Sequence, residues 1–151
     1  MNIELYTGNA EILRTLFVSR KLETQEGKFG LEIDDDKYVS DIQKFLDDTE
    51  TDMLVLFRDT TPIGYFGIEY FISPLSHQKL ANDQSWYVMK EHRGIGSIRL
   101  YKMAEIIAKE KGCSHLIMNA SMMASEMHDQ VCKLYEKLDM SKFETSYIKE
   151  L

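Results

Sequence analysis

The segment Val88–Ser97 (VMKEHRGIGS) lies between a strand pattern and a helix pattern. Ser85–Met89 has the composition of a strand, and Ile98–Lys111 places apolar residues at helical spacing. Gly94 and Gly96 allow the backbone to approach a ligand closely. Because free N–H groups at a helix start attract phosphate, the stretch predicts an anion-binding loop. A plain strand-to-helix turn is the alternative.

Two common nucleotide-binding motifs do not fit these residues. The stretch lacks the Gly-Lys-Ser or Gly-Lys-Thr ending of a P-loop, and it has only two of the three glycines of a dinucleotide fingerprint. The glycine pattern alone therefore does not identify the ligand.

Downstream of the loop and its helix, the sequence predicts a buried strand, a helix and a closing strand. The buried strand is His115–Met118, and the helix carries apolar residues from Met127 to Leu138. Residues 119–126 form a connection rich in Met and Ser, and Phe143–Lys149 has strand-like residues.

Upstream of the loop, the first fifty residues predict a strand and two helices. Asn2–Tyr6 is the strand, and Asn9 is the predicted N-cap of a helix that continues through Phe17. Asp34–Asp36 place acid at the start of the second helix, where the helix dipole favours it.

A hairpin follows these two helices. Met53–Phe57 and Ile63–Ile72 are rich in apolar and β-branched residues and predict two antiparallel strands. Ser73–Gln84 is polar, with Pro74 near its start, and is predicted to be irregular. Mixed helices and hairpins without a repeat or a linker favour a single α+β domain.

The composition is that of a soluble globular protein, since 44% of the 151 residues are apolar and 28% are charged. The net charge of −7 argues against nucleic-acid binding, which depends on Lys and Arg. No apolar run approaches the ~20 residues of a membrane helix, and the N-terminus lacks a secretory pattern. We therefore expect a cytoplasmic protein whose partners include neither nucleic acid nor membrane.

The charge is uneven along the chain. Residues 1–75 hold 15 acidic and 7 basic residues, whereas residues 76–151 hold 10 and 11. A solvated acidic face explains this difference. Alternatively, the first half contacts a cation and the second half an anion.

From Trp86 to Leu151 the chain resembles the acyl-CoA-binding half of the GNAT N-acetyltransferases. Val88–Gly96 is similar to the family's pyrophosphate loop, in which Gln or Arg precedes Gly-x-Gly or Gly-x-Ala. Lys133–Leu138 (KLYEKL) is similar to the later helix that carries a tyrosine, and Tyr147–Lys149 to the closing strand. The resemblance implies one GNAT-like α+β domain over residues 1–151, with a central, mostly antiparallel twisted sheet flanked by helices.

Two registers relate the loop to the family's motif. With Gly94 and Gly96 at the family's two glycine positions, Glu91 stands where Gln or Arg is expected. With Arg93 as the motif arginine, Ile98 replaces a small residue. Both registers stay open at the level of sequence.

The resemblance implies acetyl-CoA as a co-substrate and assigns residues to it. Main-chain groups of Val88 and Met89 would contact the pantetheine arm, and Asn119 is a further candidate for cofactor binding. Tyr135 matches the family's acid, which would protonate the leaving thiolate or hydrogen-bond its sulfur. The amide groups that would hold the pyrophosphate belong to His92, Arg93, Gly94, Ile95, Gly96 and Ser97.

An ammonium acceptor must lose a proton before it attacks the thioester. Glu69, on the predicted hairpin, and Asp83, just before the motif strand, are the candidate bases, and an ordered water is the alternative. Cys113 and Cys132 are predicted to be packing residues, because no Cys-His motif is visible. The histidines lack metal-ligand spacing, so we predict no metal site.

The leading functional prediction is an acetyl-CoA-dependent N-acetyltransferase that acts on a primary amine, either a small cationic amine or a protein amine. The alternative is a non-catalytic acyl-CoA-binding or protein-interaction module on the same fold. A homodimer through the last strand or the long hairpin is a further prediction, because exposed strand edges pair readily.

Overall fold

The structure is a computed structural model that describes residues 1–151. It contains five strands and four α-helices. The strands are β1 (Asn2–Leu5), β2 (Thr51–Arg58), β3 (Thr61–Ile72), β4 (Lys79–Val88) and β5 (His115–Ile117). The helices are α1 (Arg14–Glu23), α2 (Asp35–Asp47), α3 (Ile95–Glu110) and α4 (His128–Lys137). Short 3-10 turns cover Ala10–Leu13, Glu26–Phe29 and Lys90–His92.

The five strands form one sheet in the order β1-β2-β3-β4-β5. Neighbouring strands are antiparallel except β4 and β5, which are parallel over three residue pairs. This arrangement confirms the predicted α+β class and the mostly antiparallel sheet.

Successive side chains of each strand point to opposite faces of the sheet, and helices cover both faces. On β2, Leu54 and Leu56 pack in the cluster beneath α3, whereas Met53 and Val55 pack in the cluster beneath α1 and α2. Each such buried side chain stabilises the fold by roughly 1.5–3 kcal/mol.

Both predicted helix starts in the first half carry a side-chain cap. The Asn9 side chain accepts a hydrogen bond from the Glu11 amide at 2.8 Å, although the first turn it caps is a 3-10 turn. The Asp34 side chain accepts from the Lys37 amide at 2.9 Å, at the start of α2. The acidic run at Asp34–Asp36 therefore lies at a helix N-terminus, as predicted.

A β-bulge interrupts the pairing of β3 and β4. Gly67 pairs with Ser85 and Ile68 pairs with Asp83, so Gln84 is the extra residue. The bulge changes which side chains of β4 face α3: Ala81 does so before it, and Val88 does so after it.

The prediction that Ser73–Gln84 is irregular is wrong over its second half, because β4 begins at Lys79. The chain reverses at residues 73–78, where His77 has a φ of 56° and the Gln78 carbonyl accepts from the Ser73 amide. Polar side chains on the exposed face, together with the bulge, remove the alternation that marks a strand.

The predicted closing strand at Phe143–Lys149 is also wrong, and so is the likeness of Tyr147–Lys149 to such a strand. Residues 141–151 make no backbone–backbone hydrogen bond, and all are exposed. Strand propensity has an effect only where a partner edge is paired. The strand predicted as buried, His115–Met118, is a half-buried edge strand over His115–Ile117, because only β4 pairs with it.

No helix combines the length and the apolar composition that crossing a bilayer requires.

Candidate active site

The predicted anion-binding loop presents four consecutive unpaired amides. Gly94 has a φ of 81° and precedes α3, whose first residue is Ile95. The Ile98 amide is the first to donate into the helix, to the Gly94 carbonyl at 3.0 Å, which leaves the N–H groups of residues 94–97 free. Free amides at the positive end of a helix dipole form a site for an anionic group.

Gly96 lies in the first turn of α3 and is buried against the sheet. A Cβ atom at this position would lie 3.0 Å from Cδ2 of Leu56 on β2. A side chain at residue 96 would therefore push the start of α3 away from β2, whereas a Cβ at Gly94 would meet nothing within 4 Å.

Beside the loop, the parallel strands β4 and β5 separate. They pair from Leu80 to Asn82 on β4, and beyond this point β4 continues to Val88 without a partner on that side. Asn119 lies at the point of separation: its amide donates to Asp83 Oδ1 at 2.8 Å, and its Nδ2 donates to the Asp83 carbonyl at 2.8 Å.

The Asp83 carboxyl is buried at the point of separation, with 6% of the residue exposed. Burial raises the pKa of Asp83 to about 6, against the opposing effect of the hydrogen bonds from Asn119. The second carboxyl oxygen, Oδ2, makes no hydrogen bond within the protein. Asp83 is therefore a carboxyl that changes charge just below neutral pH.

Tyr135 of α4 lies at the same opening. Its hydroxyl donates to the Asn119 carbonyl at 3.0 Å, and its ring stacks on Trp86 of β4 with 6.3 Å between centroids. Burial raises the pKa of Tyr135 well above its ordinary value, and the Asp83 carboxylate raises it further. The phenol is therefore a hydrogen-bond donor throughout the physiological pH range.

The sequence profile of the acetyltransferase (GNAT) family matches residues 15–140. The chain belongs to the acetyltransferase (GNAT) family. No curated protein matches the sequence.

Solved structures show the same fold. A ribosomal-protein-alanine N-acetyltransferase from Brucella melitensis biovar Abortus 2308 has a TM-score of 0.74 at 22% identity, with 100% of both chains covered. An aminoglycoside acetyltransferase from an uncultured soil metagenomic sample has a TM-score of 0.72 at 13% identity, with 100% of this chain and 99% of that chain covered. A transcriptional regulator from Bacillus halodurans C-125 has a TM-score of 0.80 at 15% identity, with 99% of both chains covered. At these identities the likeness concerns the fold.

In this GNAT chain, some main-chain groups at the end of β4 already make hydrogen bonds within the protein. The Met89 amide donates to Ile63 of β3 at 2.9 Å, and the Met89 carbonyl accepts from His92 at 2.8 Å. Because main-chain groups alternate along a strand, the amide of Val88 faces the separation instead. The Val88 carbonyl accepts from Nε of Arg93 at 2.8 Å.

The side chain of Arg93 links the loop to α1 and is not directed at the four free amides. Its guanidinium pairs with the Glu23 carboxylate and lies 5.7 Å from the centroid of the Tyr87 ring. The Tyr87 hydroxyl donates to Glu23 Oε1 at 2.8 Å. Burial by itself would raise the pKa of Glu23, but the hydrogen bonds from Arg93 and Tyr87 hold it below its usual range.

These predicted site residues divide into four groups. Asp83, Asn119 and Tyr135 meet at the separation of the strands, and residues 94–97 supply the free amides. The amides of His92 and Arg93 close the 3-10 turn, by donating to the Met89 and Lys90 carbonyls. Glu69 is exposed on β3, where its carboxylate accepts from the Gln84 side chain.

A cavity of about 210 Å³ lies between α1 and α2. Its lining has more carboxylates than cations. The carboxylates are those of Glu26, Glu32, Asp34, Asp35 and Asp41, and the cations are Arg20, Lys21 and Lys37. The charge of Arg20 also favours the ionised form of Asp83 and so lowers its pKa.

Two elements of the site have no signal in the sequence analysis. Glu23 stands at the end of a helix as an ordinary charged residue, and only the fold brings it to Arg93. The stacking of Trp86 on Tyr135 joins residues 49 positions apart. The indole N–H of Trp86 is buried there without an acceptor.

Proposed function

We propose that the protein is an N-acetyltransferase that transfers the acetyl group of acetyl-CoA directly to a primary amine. The observation that carries this proposal is the set of four unpaired amides at residues 94–97, beside the unpaired edge of β4. Family membership supports acetyl-CoA as the acyl donor.

The residues around the opening fit the parts of acetyl-CoA. The amides of Gly94 to Ser97 would hold the pyrophosphate. The Val88 amide would donate to the pantetheine arm along the free edge of β4, and Asn119 would keep that edge open by binding Asp83. His92 and Arg93 would act by shaping the loop. The unsatisfied indole N–H of Trp86 offers a donor to an oxygen of the bound arm.

Acetyl-CoA supplies an activated thioester to this site. As the bond between the carbonyl carbon and sulfur breaks, the Tyr135 hydroxyl would turn from the Asn119 carbonyl and donate its hydrogen bond to the sulfur. Because the pKa of the buried phenol is raised, and a thiol has a pKa of ~8.5, this hydrogen bond is favoured over complete proton transfer. The proton lost by the attacking amine balances the thiolate.

Asp83 is the better candidate for the group that receives a proton from the ammonium. Its pKa of about 6 leaves it ionised at neutral pH, and its Oδ2 is free of protein partners. A base with a pKa near the working pH is efficient. Glu69, which is exposed and bonded to Gln84, is the weaker candidate.

The cavity between α1 and α2 favours a cationic acceptor, because carboxylates outnumber cations in its lining. The names of two structural neighbours, a ribosomal-protein-alanine N-acetyltransferase and an aminoglycoside acetyltransferase, support an amine as the acceptor class.

The decisive experiment is calorimetric titration of acetyl-CoA into the protein and into Gly94→Trp. The matched control is Gly112→Trp at the other end of α3, since both glycines have a φ near 80° and open space at Cβ. We expect binding to be lost only in Gly94→Trp. Equal binding by the two variants, or no binding by the wild type, would contradict the proposal.

A second measurement follows release of free CoA in the presence of a polyamine, an aminoglycoside and a lysine peptide. Amine-dependent release is expected from an N-acetyltransferase. Binding of acetyl-CoA without release for any amine would instead support the acyl-CoA-binding module.

A further inference from the structure

The first turns of α4 contain a cysteine, a histidine and an aspartate in contact. Sγ of Cys132 lies 3.6 Å from Nε2 of His128, and Nδ1 of His128 lies 3.1 Å from Oδ1 of Asp129. Cys132 is half-buried, and 31% of the His128 side chain is exposed, so both remain accessible. This contact follows from the spacing of four residues along a helix.

The arrangement fixes the role of each atom. An ionised carboxylate only accepts hydrogen bonds, so the imidazole tautomer that satisfies Asp129 carries its proton on Nδ1. Nε2 then carries the lone pair and accepts from the thiol of Cys132. A nucleophile bonded to a base, which a third group orients, is the arrangement that activates a thiol.

Cys132 also lies next to the opening at β4. It precedes Tyr135 by three residues, so the two side chains are neighbours on the same face of α4. Burial and the Asp83 carboxylate raise the pKa of Tyr135, and Cys132 raises it further. Tyr135 in turn stacks on Trp86 of β4.

We infer that Cys132, with His128 as its base, is a nucleophilic site that accepts an acyl group from a thioester. The thiol proton passes to Nε2 of His128 as the Cys132 sulfur attacks the carbonyl carbon. The bond between that carbon and the sulfur of the donor then breaks, and the donor thiolate takes the proton from the imidazolium. The products are an acylated Cys132 and a free thiol. Where the donor is acetyl-CoA, the inference rests on the proposed function.

Cys113 provides an internal control in the same chain. It is half-buried like Cys132, but burial raises its pKa and no histidine contacts it. The two thiols therefore differ in their chemical partner while both are partly accessible.

The test is acetylation by S-acetyl-N-acetylcysteamine, a short thioester without a pyrophosphate, followed by mass spectrometry of both cysteine peptides. We expect Cys132 to be acetylated at least about tenfold faster than Cys113, because a positioned base assists it. Hydroxylamine should remove the group, and His128→Gln should bring the rate of Cys132 close to that of Cys113. Equal rates in the wild type, or an unchanged rate in His128→Gln, would overturn the inference.

A parallel reaction with acetyl-CoA separates this inference from the proposed function. If acetyl-CoA does not bind, the short thioester still reports on Cys132. If amine-dependent release of CoA occurs while Cys132 is no more reactive than Cys113, only the present inference fails.

Discussion

Glu23 and Asp83 are two carboxyl groups beside β4 whose pKa values move in opposite directions. Glu23 pairs with the Arg93 guanidinium, and its pKa is lowered. Asp83 is held by the amide groups of Asn119, and its pKa is raised to about 6. At Glu23 a cation outweighs the cost of partial burial, whereas at Asp83 the hydrogen bonds from Asn119 and the charge of Arg20 do not outweigh nearly complete burial.

The two carboxyl groups also serve different parts of the molecule. Glu23 connects α1 to the loop that precedes α3, through Arg93. Asp83 lies with Asn119 and Tyr135, where the thioester would react. We therefore expect changes on the Glu23 side to affect acetyl-CoA binding, and changes on the Asp83 side to affect turnover and the proton balance.

The largest effect is expected for Tyr135→Phe, on the Asp83 side. Loss of the hydroxyl should lower kcat by about 100-fold, because the leaving sulfur loses its donor, and should leave the KM for acetyl-CoA nearly unchanged. Steady-state kinetics of CoA release measure both constants. Tyr101→Phe is the control, since its ring also lies 6.3 Å from Trp86 but its hydroxyl donates to Glu105. A similar loss in both variants would refute a specific role for Tyr135.

Asp83→Asn tests the raised pKa of Asp83 through the pH dependence of the protein's stability. The folded state binds the Asp83 proton more tightly than the unfolded state does, so this stabilisation is complete below pH 4 and is lost as pH rises through 6. The wild type should therefore lose on the order of 2–3 kcal/mol relative to Asp83→Asn between pH 4 and pH 7.5. An asparagine can keep Oδ1 as the acceptor for Asn119.

Urea unfolding of the two proteins across this pH range provides the measurement. The difference between their free energies of unfolding is the quantity that matters, because other titrating groups cancel in it. A constant difference across the range would mean that Asp83 has an ordinary pKa.

Arg93→Leu tests the Glu23 side. The variant loses the contacts with Glu23 and with the Val88 carbonyl, so we expect the KM for acetyl-CoA to rise about fivefold to tenfold with kcat within about twofold. Arg99→Leu, in α3, is the control because the Arg99 side chain donates a hydrogen bond only to the Met1 carbonyl. A fall in kcat at constant KM would place Arg93 with the reacting groups instead.

The smallest effect is expected for Glu23→Gln. The Glu23 carboxylate is 37% exposed, so solvent limits its contribution to below about 1 kcal/mol. This stability is present above pH 4.5 and is lost as pH falls, because the pKa of Glu23 is lowered. Unfolding curves at pH 3.5 and pH 7 should therefore show the opposite trend to that of Asp83. If the free energy of unfolding changed with pH in the same direction for both groups, the contrast between Glu23 and Asp83 would be refuted.

The sequence predicts the structure where the residues of one segment determine its conformation. Val88–Ser97 predicts a strand, a loop and a helix because its glycines and its apolar spacing are local, and the capped helix starts at Asn9 and Asp34 follow from local chemistry as well. Asp83, Asn119 and Tyr135 were each named, but their contact depends on how β4 and β5 separate. The spacing of residues along the sequence does not predict that separation.

The incorrect predictions also have a common physical cause. Lys79–Gln84 is a strand because β3 and β5 pair with it, although its own residues are polar. Phe143–Lys149 is not a strand because no edge pairs with it, although its own residues are strand-like. Pairing with a distant segment decides both cases, and such pairing is not encoded by local composition.

The bulge at Gln84 shifts the phase of β4 by one residue. Before it, odd-numbered residues such as Ala81 face α3, and after it even-numbered residues such as Val88 do so. Deleting this single residue would join the two segments into one continuous two-residue period, and Trp86 and Val88 would still face α3. Deleting a residue beyond the bulge, such as Tyr87, would instead turn Val88 to the opposite face of the sheet. A change of chain length in β4 is therefore compatible with the site at the bulge, and incompatible with it three residues further on.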